Sequence, residues 1–548
     1  MAHERTDMTN SKAGELKSAG TDVHPQAPER AGAILAVLIL GAVVANINLG
    51  VANVALPSIG AALDASQAQL NLIAVAFTLG LAASVLYLGA LADRHGRTKA
   101  LLLGASLSVP MSILAAWAPS TSVLVLARFG GGVAAGLLYP TTLSLITALF
   151  SGPSRTRAIA SWSGIGGGCS ALGPIIGGLL LGRAWWGSVF LITVPVAVLV
   201  FVLGWLWLPR QAGETSARVD NPGGILSVLF LGPLVLAISL LPNYGFSGVV
   251  VGLLIVTALS LLGFVVRERR AANPLFDLKV LRTRTFTIAL IGGTITWGGL
   301  LGALFIGQQY TQDVLGYSPL DAALITLPAG IFLFLAARPS ANLIARHGSR
   351  VPLALGLLVT AIGFLGMAVL FSDDQSAAVV AIIYAFLGLG IGLAGPPSSN
   401  SLMGSVPVER AGMGSASNDL QRDFGGAFFQ AVMGTLLAVQ YTSYFTKAFA
   451  SLPPDQADQL SKQAVASISQ SFTGAAQVAK QFPQAQAQDI INAAKQAFLD
   501  GKTAALIFAT LAAGVGFLVV FFFYPRREAE DATYARIAGR SPRDGDTT

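Results

Sequence analysis

Charge is scarce in this chain. Only 11% of its 548 residues are Asp, Glu, Lys or Arg, against about 25% in soluble domains, and mean hydropathy is +0.67. So little charge leaves little room for a soluble catalytic domain. Cysteine is scarcer still. The single Cys169 excludes an intramolecular disulfide and a thiolate metal cluster, and its glycine-rich surroundings read as helix packing. The four histidines, His3, His24, His95 and His347, fall in a tail or in loops, so no imidazole relay crosses the apolar runs and no metal site is expected. There is no G-x-x-x-x-G-K-[ST], no HExxH and no Ser/His/Asp set, which argues against ATP-driven export and against hydrolytic chemistry. No cofactor is expected, and no enzyme.

What the chain has is apolar runs. Fourteen of them, each about 20 residues, are long enough to cross a bilayer as helices. They lie near 33–55, 70–91, 100–118, 122–149, 157–180, 188–208 and 223–242, then near 248–267, 285–310, 318–337, 351–371, 376–399, 414–440 and 502–524. This describes an all-α polytopic membrane protein. The excess of cations, a net charge of +7, is a matter of topology and gives no sign of nucleic acid. Arg155/Arg157, Arg210/Arg218, the group from Arg267 to Arg284, Arg338/Arg346/Arg350 and Arg410 all fall in alternate loops. The loops at 56–69, 119–121, 243–247, 311–317 and 372–375 carry no Lys or Arg. By the positive-inside rule both termini are cytoplasmic in a cell membrane. Residues 1–31 read as a disordered tail without an apolar h-region, and 526–548 as a second tail.

One short charged stretch interrupts two of the runs: Gly89-Ala-Leu-Ala-Asp93-Arg94-His-Gly96-Arg97-Thr-Lys99. Gly96 permits a sharp reversal, and Gly89 offers a neighbouring helix close access to its backbone. Arg346-His-Gly348 echoes Arg94-His-Gly96 at an offset of 252 residues, with Ala345 where the first copy has Asp93 and Ala341 where it has Gly89. A repeat of helical bundles marks secondary transporters. It divides the chain into a six-helix bundle at 32–209, a two-helix insert with flanking loops at 210–284, and a second bundle at 285–525. The outer segment 441–501 lies within that second bundle. It reads as two amphipathic helices forming an extracellular cap, with a disordered loop as the alternative.

Charge inside the membrane is costly and usually functional. Arg128 lies early in the fourth run, either reaching polar groups on the first helix or snorkelling outward. Asn46, Asn48 and Asn53 lie on that first helix. Gly173, Pro174, Gly177 and Gly178 permit close helix approach in the fifth run. Asp419 and Asp423 share a face with Arg422 beside it, at membrane depth or at a solvated helix end. Phe77, Tyr139, Trp162, Trp297, Phe305, Gln308 and Tyr310 are candidates for a mostly apolar pocket.

Together these residues resemble the fourteen-helix drug:proton antiporters of the major facilitator superfamily. The likeness rests on the Gly89–Lys99 link, the Arg128 helix, Gly173-Pro174-x-x-Gly177-Gly178, Asn53-Val-Ala-Leu-Pro57, Leu315-Gly-Tyr-Ser-Pro319 and, more loosely, Arg422-Asp-Phe-Gly-Gly426. It implies the major facilitator fold and proton-driven efflux of small amphiphilic molecules by alternating access, by a monomer in the lipid bilayer. One departure matters: the family's helix-one motif usually has Asp where this chain has Asn48. Either the proton carrier has moved, to Asp423 or Asp419, or the coupling differs. A lipid or natural-product exporter of the same fold is the alternative. A membrane enzyme or a sensor is more remote, for want of convergent catalytic groups or an output domain.

Overall fold

The computed structural model describes residues 30–150, 154, 158, 161–162, 173–209, 220–271, 274–406, 411–450 and 462–537. The expected N-terminal tail lies outside them except for its last two residues, and Cys169 with Gly164–Gly168 lies outside them too. The described residues form helices and connecting turns. The first six helices are α1 (Ala31–Leu63), α2 (Gln67–His95), α3 (Arg97–Ala116), α4 (Thr121–Leu149), α5 (173–181) and α6 (Ser188–Trp207). Next come α7 (Asn221–Tyr244) and α8 (Gly248–Arg270), then α9 (Arg284–Gln309), α10 (Pro319–His347), α11 (Arg350–Leu370), α12 (Ala377–Gly404) and α13 (Ala411–Ala450). Two short helices, α14 (Lys462–Gln470) and α15 (Phe472–Ala479), precede the long α16 (Gln484–Phe523) and the terminal α17 (Arg527–Ile537).

Twelve of the described helices are long and apolar enough to cross a membrane. The other two of the expected fourteen are α5, described only from Gly173, and α13, which packs between α2, α7, α9 and α16. The outer ring exposes large apolar side chains such as Leu103, Trp205, Leu259, Val369 and Phe522, as lipid-facing helices must. The main apolar cluster of the interior runs from Val51 and Leu138 through Phe305 and Phe364 to Leu437 and Phe498.

The two halves repeat each other in their packing. In the first, α2 lies on α4, α3 on α4 and α6, and α1 on α4 and α6. In the second, α10 lies on α12, α11 on α12 and α16, and α9 on α12 and α16. The tight crossing in each half is made by glycine. A Cβ on Gly132 would collide with the carbonyl of Phe77, and one on Gly388 with the carbonyl of Ala329, so only hydrogen fits there. The insert packs as a hairpin, and α7 covers the seam between α2 and α13 through Val235 against Val75, Leu79, Ala427 and Ala431.

Several helices outrun the apolar spans. α1 continues past Pro57 to Leu63, and α10 passes Pro328 and Pro339 to reach His347. Proline is tolerated in such helices because packed neighbours re-satisfy the backbone groups it frees. The segment 441–501 also differs from two separate amphipathic helices. Its first ten residues extend α13, and residues 484–501 are the start of α16, so only α14 and α15 stand apart. Residues 527–537, expected as tail, form a docked helix.

Candidate functional site

Gly96 is the pivot of the first link. At φ 110° and ψ 120° it ends α2 and begins α3, and its N–H donates to Ala92 O. That backbone region is open to glycine and strained for other residues. Arg97 Nη1 donates to Ser144 O on α4 at 3.3 Å, and Thr98 Oγ1 to Pro209 O after α6 at 2.9 Å. Asp93 stands two residues before His95, the last residue of α2, its side chain outside the described set, and Arg94 is exposed. The close approach expected at Gly89 is not made in this structure. Among the described residues no atom lies within 4 Å of the place a Cβ would take.

Arg128 turns inward. It is 3% exposed, and Nη1 donates to Asn48 O at 3.1 Å. The guanidinium lies 4.8 Å from the Phe77 ring centroid and 5.5 Å from that of Phe190, where the π-faces offset part of its lost hydration. Its Nε is buried without a partner among the described residues. Asn48, Phe77, Ser108, Ser112 and Arg128 line a narrow cavity inside the first half. The side-chain amides of Asn46 and Asn48 donate back along α1, to Ala42 O and Val44 O. Asn53 faces elsewhere: its Oδ1 accepts from Gln430 Nε2 on α13 at 3.2 Å.

The charged group on α13 sits at the seam. Asp423 is 1% exposed and Asp419 8%, so both are buried rather than at a solvated helix end. Arg422 Nε donates to Asp423 Oδ1 at 3.0 Å, while its Nη1 crosses to Tyr139 OH on α4 at 2.8 Å. Tyr139 in turn lies against Trp162, with ring centroids 5.2 Å apart. Asp423 Oδ2 is buried with no hydrogen-bond partner among the described residues. The result is one carboxylate, one guanidinium and one phenol spanning the two halves.

Other ties across the seam were not singled out from the sequence. Gln67 Nε2 donates to Gln309 Oε1 at 2.7 Å, Asn71 Nδ2 to Ala431 O at 3.2 Å, and Gln312 Nε2 to Val54 O at 3.0 Å. All three lie toward the end where α14 and α15 sit, and Gln477 Nε2 adds a bond from α15 to Ala61 O at 2.9 Å. A π-helical turn at Tyr310–Val314 closes α9 and carries Gln312. On α5, Gly173 and Gly177 face α1, where Cβ atoms would come within 3.1 Å of Ile47 O and 2.8 Å of Val51 Cγ2. Gly178 faces Leu320 on α10. α5 therefore touches both halves.

The pocket candidates do not converge. Tyr139 and Trp162 join Arg422, and Phe77 joins Arg128. Trp297 faces Gly395 between α9 and α12. Phe305 is fully buried in packing, and Gln308 Nε2 donates to Thr326 Oγ1 on α10 at 3.1 Å. Tyr310 stacks on Phe371 at 4.4 Å and donates to Ser372 O at 2.6 Å. Lys502, also missed, is buried and donates to Met367 O and Ala368 O at the end of α11, a favourable place for a cation.

Comparison with known proteins agrees with this architecture. The chain is 33% identical over 493 residues to the multidrug efflux pump LfrA of Mycolicibacterium smegmatis, covering 90% of this chain and 96% of that one. It is 30% identical over 475 residues to the methyl viologen resistance protein SmvA of Salmonella typhimurium, covering 86% and 94%. A solved structure of a bacterial homologue of the human lysosomal transporter Spinster, inward-facing and unoccupied, superposes with a TM-score of 0.61 at 17% identity, over 94% of this chain and 99% of that one. The family model for the Major Facilitator Superfamily matches residues 38–430, from early α1 into α13. With two halves of matching helix pairing and a multi-pass membrane fold, the chain is a transporter rather than an enzyme, and it belongs to the major facilitator superfamily.

Proposed function

We propose that this transporter is a proton-coupled antiporter of the fourteen-helix drug:proton type, exporting hydrophobic or amphiphilic compounds by alternating access. The link face is cytoplasmic, and α14 and α15 lie outside. The observation that carries the reading is the seam. Two equivalent halves are tied by hydrogen bonds from mid-membrane to the cap end, and a charged tie, Arg422 between Asp423 and Tyr139, lies among them. A buried carboxylate with one free oxygen is suited to gain and lose a proton. Protonation at Asp423 removes the countercharge of Arg422, whose other hand holds the opposite half, so proton binding is linked to the strength of that tie. The efflux and resistance relatives support a small amphiphilic substrate. The one named for methyl viologen, an aromatic dication, favours aromatic cations as substrates.

The test is efflux of ethidium from proteoliposomes bearing an imposed proton gradient. Wild type should lose concentrative efflux on addition of an uncoupler. Asp423→Asn should retain downhill movement while its gradient dependence falls about tenfold or more, the scale of a coupling of 1–3 kcal/mol. Undiminished gradient-driven efflux by both Asp423→Asn and Asp419→Asn would place the carrier elsewhere. Efflux indifferent to uncoupler in wild type would favour a lipid or natural-product exporter with different coupling.

A further inference from the structure

The second link has lost its acid, yet a carboxylate stands there. Glu530 of α17 is 2% exposed although its helix is otherwise polar. Its Oε2 accepts from the Ser349 N–H at 2.9 Å, where α11 begins. Its Oε1 accepts from Tyr534 OH at 2.9 Å and from Tyr524 OH at 3.2 Å. Tyr524 OH is shared with Ser401 on α12 at 2.6 Å. Arg527 Nη1 donates to Arg346 O, the last turn of α10, at 2.8 Å. Asn400 of α12 donates to Ser349 Oγ at 3.2 Å. Thus α17 holds the ends of α10, α11 and α12 at one point, through a buried carboxylate whose charge also suits the start of α11.

We propose that Glu530 replaces, from the C-terminal helix, the carboxylate missing at Ala345. It makes the α10–α11 link a fixed joint, so that of the two repeated links only the first changes partners during transport. Glu530 is a positioning residue, since it touches no part of the seam. The inference rests on the alternating-access reading for its effect on transport. Its local claim, that Glu530 holds Ser349, stands or falls separately.

The experiment compares full-length wild type, Glu530→Gln and Glu530→Ala by hydrogen exchange and by ethidium efflux in proteoliposomes. Exchange of the Ser349 amide should accelerate about tenfold or more in Glu530→Ala, with exchange in α1 and α2 unchanged. Maximal efflux rate should fall about fivefold or more at an unchanged KM for ethidium. Ala345 lines the same cavity as Glu530, so Glu530→Ala combined with Ala345→Asp should recover much of the rate. An unchanged Ser349 amide in both single variants overturns the clamp. Accelerated exchange with a normal efflux rate, or no recovery with Ala345→Asp, overturns its role in transport. If wild type moves no ethidium, the exporter reading fails while the exchange result still judges the clamp. Glu530→Gln keeps the side-chain volume and serves if Glu530→Ala does not fold.

Discussion

The two repeated links are anchored alike and finished differently. The first is tied to α4 through Arg97 and Ser144, and to the end of α6 through Thr98 and Pro209. The second is tied to the counterpart helices, α12 through Ser349 and Asn400, and α16 through Arg350 and Phe521 O. Each turns on a glycine at positive φ, Gly96 and Gly348. Beyond that the likeness ends. The second link carries a further helix on top of it. At the first, no described atom lies within 4 Å of the place a Cβ on Gly89 would take. A repeated hairpin thus becomes a fixed joint in one half and a contact free to form and break in the other.

The sharpest way to break this comparison is to put the same side chain into both turns. Valine at either glycine meets a backbone strain of about 1–3 kcal/mol. At Gly348 it also meets Glu530 Oε2, which lies 2.6 Å from the Cβ position. We expect Gly96→Val to abolish ethidium efflux while leaving the protein in the membrane at near-normal amount. Asp93→Asn should do the same. Gly348→Val should lower the melting temperature more than Gly96→Val does, yet keep measurable efflux per molecule. Equal losses of transport at the two sites, measured on matched amounts of purified protein, would make the links equivalent after all.

Much of this architecture is legible in the sequence, for a physical reason. Crossing lipid forces long apolar runs, and those runs mark the membrane helices, while the echo of Arg94-His-Gly96 in Arg346-His-Gly348 marks the repeat. Their ends are less legible, because helix does not stop where apolarity stops. Residues 484–501 look like a separate amphipathic helix only because they are polar, whereas nothing breaks the backbone between Pro483, before the first turn of α16, and Tyr524, after its last. The seam glutamines carry no local pattern. Gln67 and Gln309 are 242 positions apart and meet only once the halves close. Glu530 is hidden by its company: in a tail of Arg, Glu and Asp, one acid that is buried looks like the rest. Arg128 and the Asp423 group stand out in the sequence because charge at membrane depth is costly.

A smaller effect is expected where the halves differ inside. At the offset of 256 residues that relates Gly132 to Gly388, Arg128 has Tyr384 at the corresponding place, so its guanidinium has no counterpart there in the second half. Its Nε has no partner among the described residues, and Asn48 shares its cavity. A carboxylate at 48 has a cation waiting for it. Asn48→Asp should steepen the dependence of efflux on the proton gradient several-fold, about the effect of a coupling near 1 kcal/mol, and Asn48→Asp with Arg128→Ala should lose that gain. If Asn48→Asp changes nothing in a protein that still transports, the first half has no part in coupling and Asp423 carries it alone.

The smallest effect concerns the cap, which only the second half possesses. Between α5 and α6 the chain turns within residues 182–187, while between α13 and α16 it builds α14 and α15. The cap reaches across to the first half at the end of α1, where Thr473 approaches Gly60 and Gln477 donates to Ala61 O. It therefore adds to the Gln67–Gln309 and Gln312–Val54 ties on the same face, and loosening it should favour opening on that side. One exposed hydrogen bond contributes about 0.5–1.5 kcal/mol at most, so Gln477→Ala should leave the efflux rate within about threefold of wild type. The change belongs in the population that is open outward. With Cys169 replaced by Ala and a single cysteine placed at Asn71, labelling by a membrane-impermeant maleimide added outside should proceed about two to five times faster when Gln477 is Ala, in line with that energy. Labelling that is unchanged or slower would mean that the cap rests on α1 without helping to hold that face closed.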